Sequence, residues 1–185
     1  INRIFSMMCI GAVIVSCTDE STMPYDQDAI IATGQTTGFV RLNDVVSGEF
    51  DLNNIAGSNM EIQLEEWDAK GGALLQDIVL TVEFRDNTPD NGTNNVAATT
   101  VGTFPAAQWT AAGEDNLPNI TVSTTANDAL AALGLTAADL DGGDVFRFEW
   151  TLNLTNGKSF NRTNASNSLA SWDFYNAPFL LDVGV

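Results

Sequence analysis

The stretch Val145-Phe-Arg-Phe-Glu-Trp-Thr-Leu-Asn-Leu154 alternates apolar and polar side chains along its whole length. Its apolar members are Phe146, Phe148, Trp150, Leu152 and Leu154. Alternation of period two places one side of a segment in a protein core and the other in water, as in a half-buried β-strand. The stretch therefore predicts a strand of an antiparallel sheet.

The same alternation recurs elsewhere in the chain. It runs from Met60 to Leu64 and from Ile78 to Phe84, and at Glu66-Trp67 it changes phase, which predicts a β-bulge. Asn156-Gly157 directly after the first stretch predicts a tight hairpin turn. Several short strands separated by Gly, Asn and Asp turns indicate an all-β protein with a single antiparallel β-sandwich.

One segment has helical spacing instead. Thr125 and Asp128 resemble a capping box, the stripe Ala129, Leu130 and Leu133 follows, and Gly134 ends the segment. We expect one short helix here, crossing between strands of opposite sheets.

Composition excludes several classes of function. The chain has 185 residues, 24 acidic against 7 basic, no histidine and a net charge of −17. Phosphates of nucleic acids would be repelled, and the histidine needed by Ser-His-Asp and Cys-His enzymes is absent. Carboxylate pairs remain, among Glu61, Glu65, Glu66 and Glu83. Because these positions fall on predicted outer strand faces, we interpret them as solubilising and expect no enzyme.

The amino-terminal part predicts processing and export. We expect a signal peptide over residues 1–16, a flexible tether over 17–36 and the sandwich domain over 37–185. Ile14-Val15-Ser16-Cys17 resembles a bacterial lipobox, which implies that Cys17 carries the lipid anchor, with acyl chains such as palmitate. The alternative is an ordinary signal peptide with an incidental cysteine.

Two groups of side chains are candidate ligand sites. Trp109, Trp172 and Tyr175 are candidates for stacking against sugar rings, with core or loop-anchoring duty as the alternative. Asp86, Asp90 and Asn91 belong to an oxygen-rich segment that is a candidate for Ca²⁺, with a plain polar turn as the alternative. We expect no other cofactor.

The chain resembles small cell-surface lipoproteins of Bacteroidetes that accompany SusC/SusD-type nutrient uptake pairs. The segments that carry the resemblance are Gly72–Asp86, Leu133–Leu135, Gly142–Phe146, Leu152–Gly157 and Asn176–Phe179. Acidic residues after Cys17, in Thr18-Asp19-Glu20, resemble the surface-export signal of that group. The resemblance implies an Ig-like β fold, a lipid anchor on the outer face of the outer membrane, and an accessory binding role. Its implied partners are a TonB-dependent transporter, a SusD-like lipoprotein and a glycan or peptide.

A structural role is the alternative to binding. An adhesion or fibre subunit would use the apolar carboxy-terminal strand, Phe179–Val185, to pair with a neighbouring molecule.

Overall fold

Two antiparallel sheets, of four and five strands, pack face to face in the computed structural model, which describes residues 37–88, 94–113, 115–165 and 175–185. The strands are β1 (Gly38–Ser47), β2 (Asn59–Asp68), β3 (Leu75–Arg85), β4 (Val96–Pro105), β5 (Thr110–Ala112), β6 (Leu117–Thr125), β7 (Val145–Leu154), β8 (Ser159–Phe160) and β9 (Leu180–Gly184). Helix α1 (Ala126–Leu133) lies between β6 and β7. The predicted sandwich with one short helix is confirmed.

The expected signal peptide and tether, residues 1–36 with Cys17, lie outside the described residues. Within the described part of the chain, no helix has the length and the apolar character needed to cross a membrane.

The strand order is that of an immunoglobulin-like sandwich. Sheet A has the order β1-β2-β6-β5, and sheet B has the order β4-β3-β7, with β8 and β9 both pairing with β7. Immunoglobulin-like sandwiches place strands A, B, E and D in one sheet and C, F and G in the other. Here β1, β2, β6 and β5 occupy the positions of A, B, E and D, and β3, β7 and β9 occupy those of C, F and G. Strand β4 is an additional strand that follows C.

Strand β7 lies in the interior of sheet B, as its alternation predicts. Its five apolar residues are each at most 1% exposed. Phe146, Phe148 and Trp150 pair across the sheet with inward residues of β3. The Asn156-Gly157 turn then returns the chain antiparallel to β7, with Gly157 at φ 80°, a conformation that glycine adopts without strain.

Helix α1 carries the chain from sheet A to sheet B. The Thr125 side chain accepts a hydrogen bond from the Asp128 backbone amide at 3.1 Å, and Gly134 ends the helix at φ 70°. Ala126, Ala129, Leu130 and Leu133 are buried against the core. The predicted cap, stripe and terminating glycine are therefore all confirmed.

The bulge predicted at Glu66-Trp67 is wrong. Strand β2 alternates inward and outward without interruption, so that Glu66 and Asp68 continue the buried row begun by Met60. The register shifts lie instead on the partner strand β1, after Leu42 and after Val45. The prediction fails because two inward positions of β2 carry carboxyl groups. A pattern based on polarity alone assigns such residues to the outer side of a strand.

Glu66 is a fully buried carboxyl group. It is 0% exposed, and neither of its oxygens has a hydrogen-bond partner among the described residues. The turn at residues 69–74 passes directly beside it: a Cβ at Gly72 would lie 3.3 Å from Glu66 Oε2 and 2.2 Å from Pro118 Cδ. Burial raises the pKa of Glu66 from 4.5 to about 8, and the Asp68 carboxylate adds to the rise.

Asp68 has a different environment from Glu66. It is 1% exposed, and its two oxygens accept the backbone amides of Lys70 at 2.6 Å and Leu74 at 2.7 Å. These bonds fix the turn at residues 69–74 over the end of the sandwich. Asp68 therefore fixes the turn, and the turn in its place covers Glu66.

The carboxy-terminal strand pairs within its own chain. Strand β9 lies antiparallel to β7, and both Phe179 and Val183 are 0% exposed. Arg147 donates to both oxygens of Asp182 at 2.6 Å, and these hydrogen bonds lower the pKa of Asp182. In this structure the strand is thus not free for donation, so the feature that motivates the fibre alternative is missing.

We predict that Glu66 makes the free energy of unfolding depend on pH. Between pH 4.5 and about 8 the folded state keeps a proton that the unfolded chain has lost, so stability falls as pH rises through this window. Glu66→Gln removes the titration. The stability of the variant relative to the natural chain should therefore increase by a few kcal/mol from pH 4.5 to pH 9.

Urea unfolding across that pH range measures this difference. Glu61→Gln is the matched control, because Glu61 lies on the outer side of the same strand. A Glu66→Gln difference that stays constant with pH would show that the buried carboxyl is not protonated.

Candidate functional site

Trp109 is a core residue and does not form a stacking surface. Its side chain is 8% exposed, and its Nε1 donates to the Phe104 carbonyl oxygen at 3.3 Å. The region around it contains β4, a 3₁₀ turn over Ala106–Gln108 and β5. Because the indole is buried, a sugar ring has no access to its face. The loop-anchoring alternative describes Trp109 correctly.

The other two aromatic candidates have different outcomes. Trp172 lies outside the described residues. Tyr175 is half-buried and meets the Phe39 ring edge-on, with 5.5 Å between ring centroids and an interplanar angle of 89°. Its position brings it to the outer face of sheet A, beside aromatic residues of β1 and β2.

Phe39, Trp67 and Tyr175 form an aromatic cluster at one end of that face. Phe39 and Trp67 are register partners on β1 and β2, and their rings stack at 5.3 Å with an angle of 24°. Phe39 is 6% exposed, whereas Trp67 and Tyr175 are only half-buried. The cluster thus has a buried base and two partly accessible rings.

Backbone contacts at the edge of β1 hold Tyr175 in place. The amide of Leu42 donates to the Asn176 carbonyl at 2.8 Å, and Asn176 Nδ2 donates to the Leu42 carbonyl at 2.5 Å. Asn176 adopts φ 40°, a region in which Asn is tolerated better than most residues. The aromatic cluster therefore depends on a contact between residues that are far apart in sequence.

A polar row crosses the sheet next to the aromatic cluster. It consists of Arg41, Glu65, Asn119 and Thr110, which are successive register partners on β1, β2, β6 and β5. Arg41 Nη1 lies 2.5 Å from Glu65 Oε1, and Asn119 Nδ2 lies 3.5 Å from Glu65 Oε2. The guanidinium carbon of Arg41 is 5.9 Å from the Phe39 ring centroid, so the row and the cluster touch.

A shallow depression of about 250 Å³ lies at the β5 end of the polar row, on the same face. The residues that line it are Gln63, Thr110, Ala112, Asn119, Ile120 and Thr121. Asn119 and Thr110 belong to the polar row, and Gln63 and Thr121 are register partners in the next outward-facing row of β2 and β6. Amide and hydroxyl groups therefore extend from the polar row along β2 and β6.

The groups on this face are of the kinds that stack against a ligand and form hydrogen bonds with it. Aromatic rings pack against the apolar faces of sugars, while amides, hydroxyls and a guanidinium group hydrogen-bond to sugar hydroxyls. Glu65 lies in an ion pair with Arg41, and Glu66, predicted to lie outside, points into the core. Within the described ranges, no group of three or more His, Cys, Asp or Glu residues could hold a metal ion.

In the candidate calcium segment, the carboxylate of Asp86 is hydrogen-bonded within its own loop. Asp86 accepts the backbone amides of Thr88 at 2.9 Å and Asn94 at 2.8 Å. Asp90 and Asn91 lie outside the described residues. The part of the segment that the structure describes is thus organised as a polar turn.

Asp144 anchors this loop to the sandwich. It is 1% exposed, and its Oδ1 accepts from the Asn87 amide at 3.0 Å and the Thr88 hydroxyl at 2.8 Å. Its Oδ2 accepts the Asp141 amide at 2.8 Å. One buried carboxylate therefore joins the loop after β3 to the turn before β7.

We predict that Asp144→Ala lowers the free energy of unfolding by about 2–4 kcal/mol, because three donors lose a buried acceptor. Urea unfolding at neutral pH measures the effect. Asp115→Ala is the control, since Asp115 is exposed in a turn, and its effect should stay within about 0.5 kcal/mol. Equal effects of the two substitutions would contradict the anchoring role of Asp144.

Comparisons with known proteins do not assign the chain to a family. No protein-family model matches the chain, and no curated protein matches it significantly.

Proposed function

We propose that the chain is a non-catalytic glycan-binding domain, and that its ligand face is the outer face of sheet A. The observation that carries the proposal is that the partly accessible rings of Trp67 and Tyr175, each packed against Phe39, lie beside a row of hydrogen-bonding side chains. Sugar ligands present both an apolar ring face and polar hydroxyls, so this pairing of surfaces fits them. Of the two ligand classes expected from the sequence, glycan or peptide, the aromatic cluster favours glycan.

The cellular setting of the proposal comes from the sequence. The lipobox resemblance at Cys17 supports a lipid-anchored protein of the outer membrane, exposed at the cell surface. In that setting the domain acts as an accessory component that captures glycan for a SusC/SusD-like uptake system with its TonB-dependent transporter. The tether over residues 17–36 would give the binding face reach above the membrane.

We predict that Trp67→Ala weakens glycan binding about fivefold, because one aromatic contact contributes on the order of 1 kcal/mol. Affinity electrophoresis of the purified domain against a panel of soluble polysaccharides identifies a ligand, and calorimetry then measures the loss. Phe160→Ala is the matched control, since it removes a half-buried aromatic ring from sheet B.

Two results would contradict the proposed face. One is the absence of binding to every polysaccharide of a broad panel. The other is equal weakening by Trp67→Ala and Phe160→Ala. Tyr175→Ala separates loss of the contact from loss of folding, because it alters the same cluster from a segment outside β1 and β2.

We also predict that Cys17→Ala abolishes incorporation of a labelled fatty acid and releases the full chain from the outer-membrane fraction. Cys9→Ala is the control, because that cysteine lies within the expected signal peptide and should leave labelling unchanged. Labelling of the Cys17→Ala chain would contradict the proposed anchor.

A further inference from the structure

The aromatic cluster and the depression beside β5 lie at different positions along β2. Trp67 and Gln63 are four residues apart on the outer side of this strand, and Thr121 is the register partner of Gln63 on β6. At a rise of about 3.3 Å per residue, four residues along the strand span roughly 13 Å. A ligand that touches both the aromatic cluster and the depression must therefore be longer than a single sugar ring.

The chemistry of the depression favours uncharged hydroxyl groups. Gln63 offers an amide, which both donates and accepts, and Thr110 and Thr121 offer hydroxyls, which do the same. The Asn119 amide is already bonded within the protein, since it donates to the Leu117 carbonyl at 3.0 Å and accepts from Asn43 at 3.2 Å. Gln63, Thr110 and Thr121 are exposed, so these groups are accessible from solvent. A polyhydroxylated ligand would therefore find both hydrogen-bond donors and hydrogen-bond acceptors here.

Electrostatics argue against an anionic ligand. Arg41 is the one basic residue in the four strands of sheet A, and its charge is paired with Glu65. Asp44 and Glu61 add negative charge on the strands that carry this face, and the chain as a whole has a net charge of −17. Uronate, sulfate or phosphate groups would be repelled on these strands, where the one cation is already paired.

From this geometry we infer a second subsite at Gln63 and Thr121, which receives the continuation of a neutral glycan chain stacked on Trp67. This inference rests on the proposed function and deepens it, since it defines the ligand as an uncharged oligosaccharide of several rings. The glycan chain runs along β2, from Trp67 towards Gln63.

A ladder of oligosaccharides tests the inference. The probes are glucose through maltohexaose, xylose through xylohexaose and mannose through mannohexaose, with polygalacturonate and alginate as charged probes. The affinity, measured by calorimetry, should rise at least about tenfold from the disaccharide to the tetrasaccharide or longer members of the series that binds. The charged polymers should bind more weakly than the neutral series.

Substitutions locate the second subsite. The double variant Gln63→Ala/Thr121→Ala should weaken binding of the hexasaccharide about five- to tenfold and leave binding of the disaccharide unchanged. Trp67→Ala should weaken both. Thr151→Ala, which removes a hydroxyl from the outer face of sheet B, is the matched control and should change neither.

The outcomes separate the inference from the proposed function. If the disaccharide binds as tightly as the hexasaccharide, and Trp67→Ala still weakens it, the second subsite is wrong and the glycan-binding function stands. If polygalacturonate or alginate binds as well as the neutral series, the assignment of a neutral ligand is wrong. If no saccharide or polysaccharide binds, both fail.

Discussion

The pairing of β3 with β7 is the constraint on which the rest of the fold depends. Their inward rows include Leu80, Val82, Phe84, Phe146 and Phe148, all at most 1% exposed and in direct cross-strand register. Since burial of a large apolar side chain stabilises by about 1.5–3 kcal/mol, this pair supplies a large share of the core. The inner face of sheet A packs against it, and α1, β8 and β9 are placed by where β7 begins and ends. The outer face of sheet A is therefore carried on a rigid support.

The open edges of the sandwich are irregular, which limits pairing with other molecules. Both long edge strands, β1 and β4, carry two register shifts against their partners. Bulges of this kind twist an edge and interrupt the row of free backbone groups that would otherwise receive another strand. At the other edge of sheet B, β9 and β8 pair with β7, and Asn176 covers part of the β1 edge. The surface left for recognition is a sheet face, as in the proposed function.

How far the sequence predicts this structure depends on how local each feature is. The alternation in β7, the Thr125 cap and the Gly134 end are encoded within a few residues, and all three were predicted correctly. The inward position of Glu66 is not predicted, because the pattern takes a polar residue as an exposed one. The burial of Trp109, and the cluster that Phe39 forms with Trp67 and Tyr175, depend on strand register and on contacts between residues far apart in sequence. Alternation continued through Glu66 places Glu65 and Trp67 on one face of β2, whereas the positions of Arg41 and Tyr175 depend on pairing with other segments.

A departure from regular patterning adjoins the proposed binding face. Glu66 and Asp68 point into the core on either side of Trp67, which points outward into the aromatic cluster. A buried carboxyl without a partner costs stability, and a core built for stability alone would carry an apolar residue there. Positions where a sequence departs from the pattern that best stabilises its fold occur preferentially at functional sites. The location of Glu66 therefore adds to the support for the proposed binding face at the end of β2, independently of the aromatic rings.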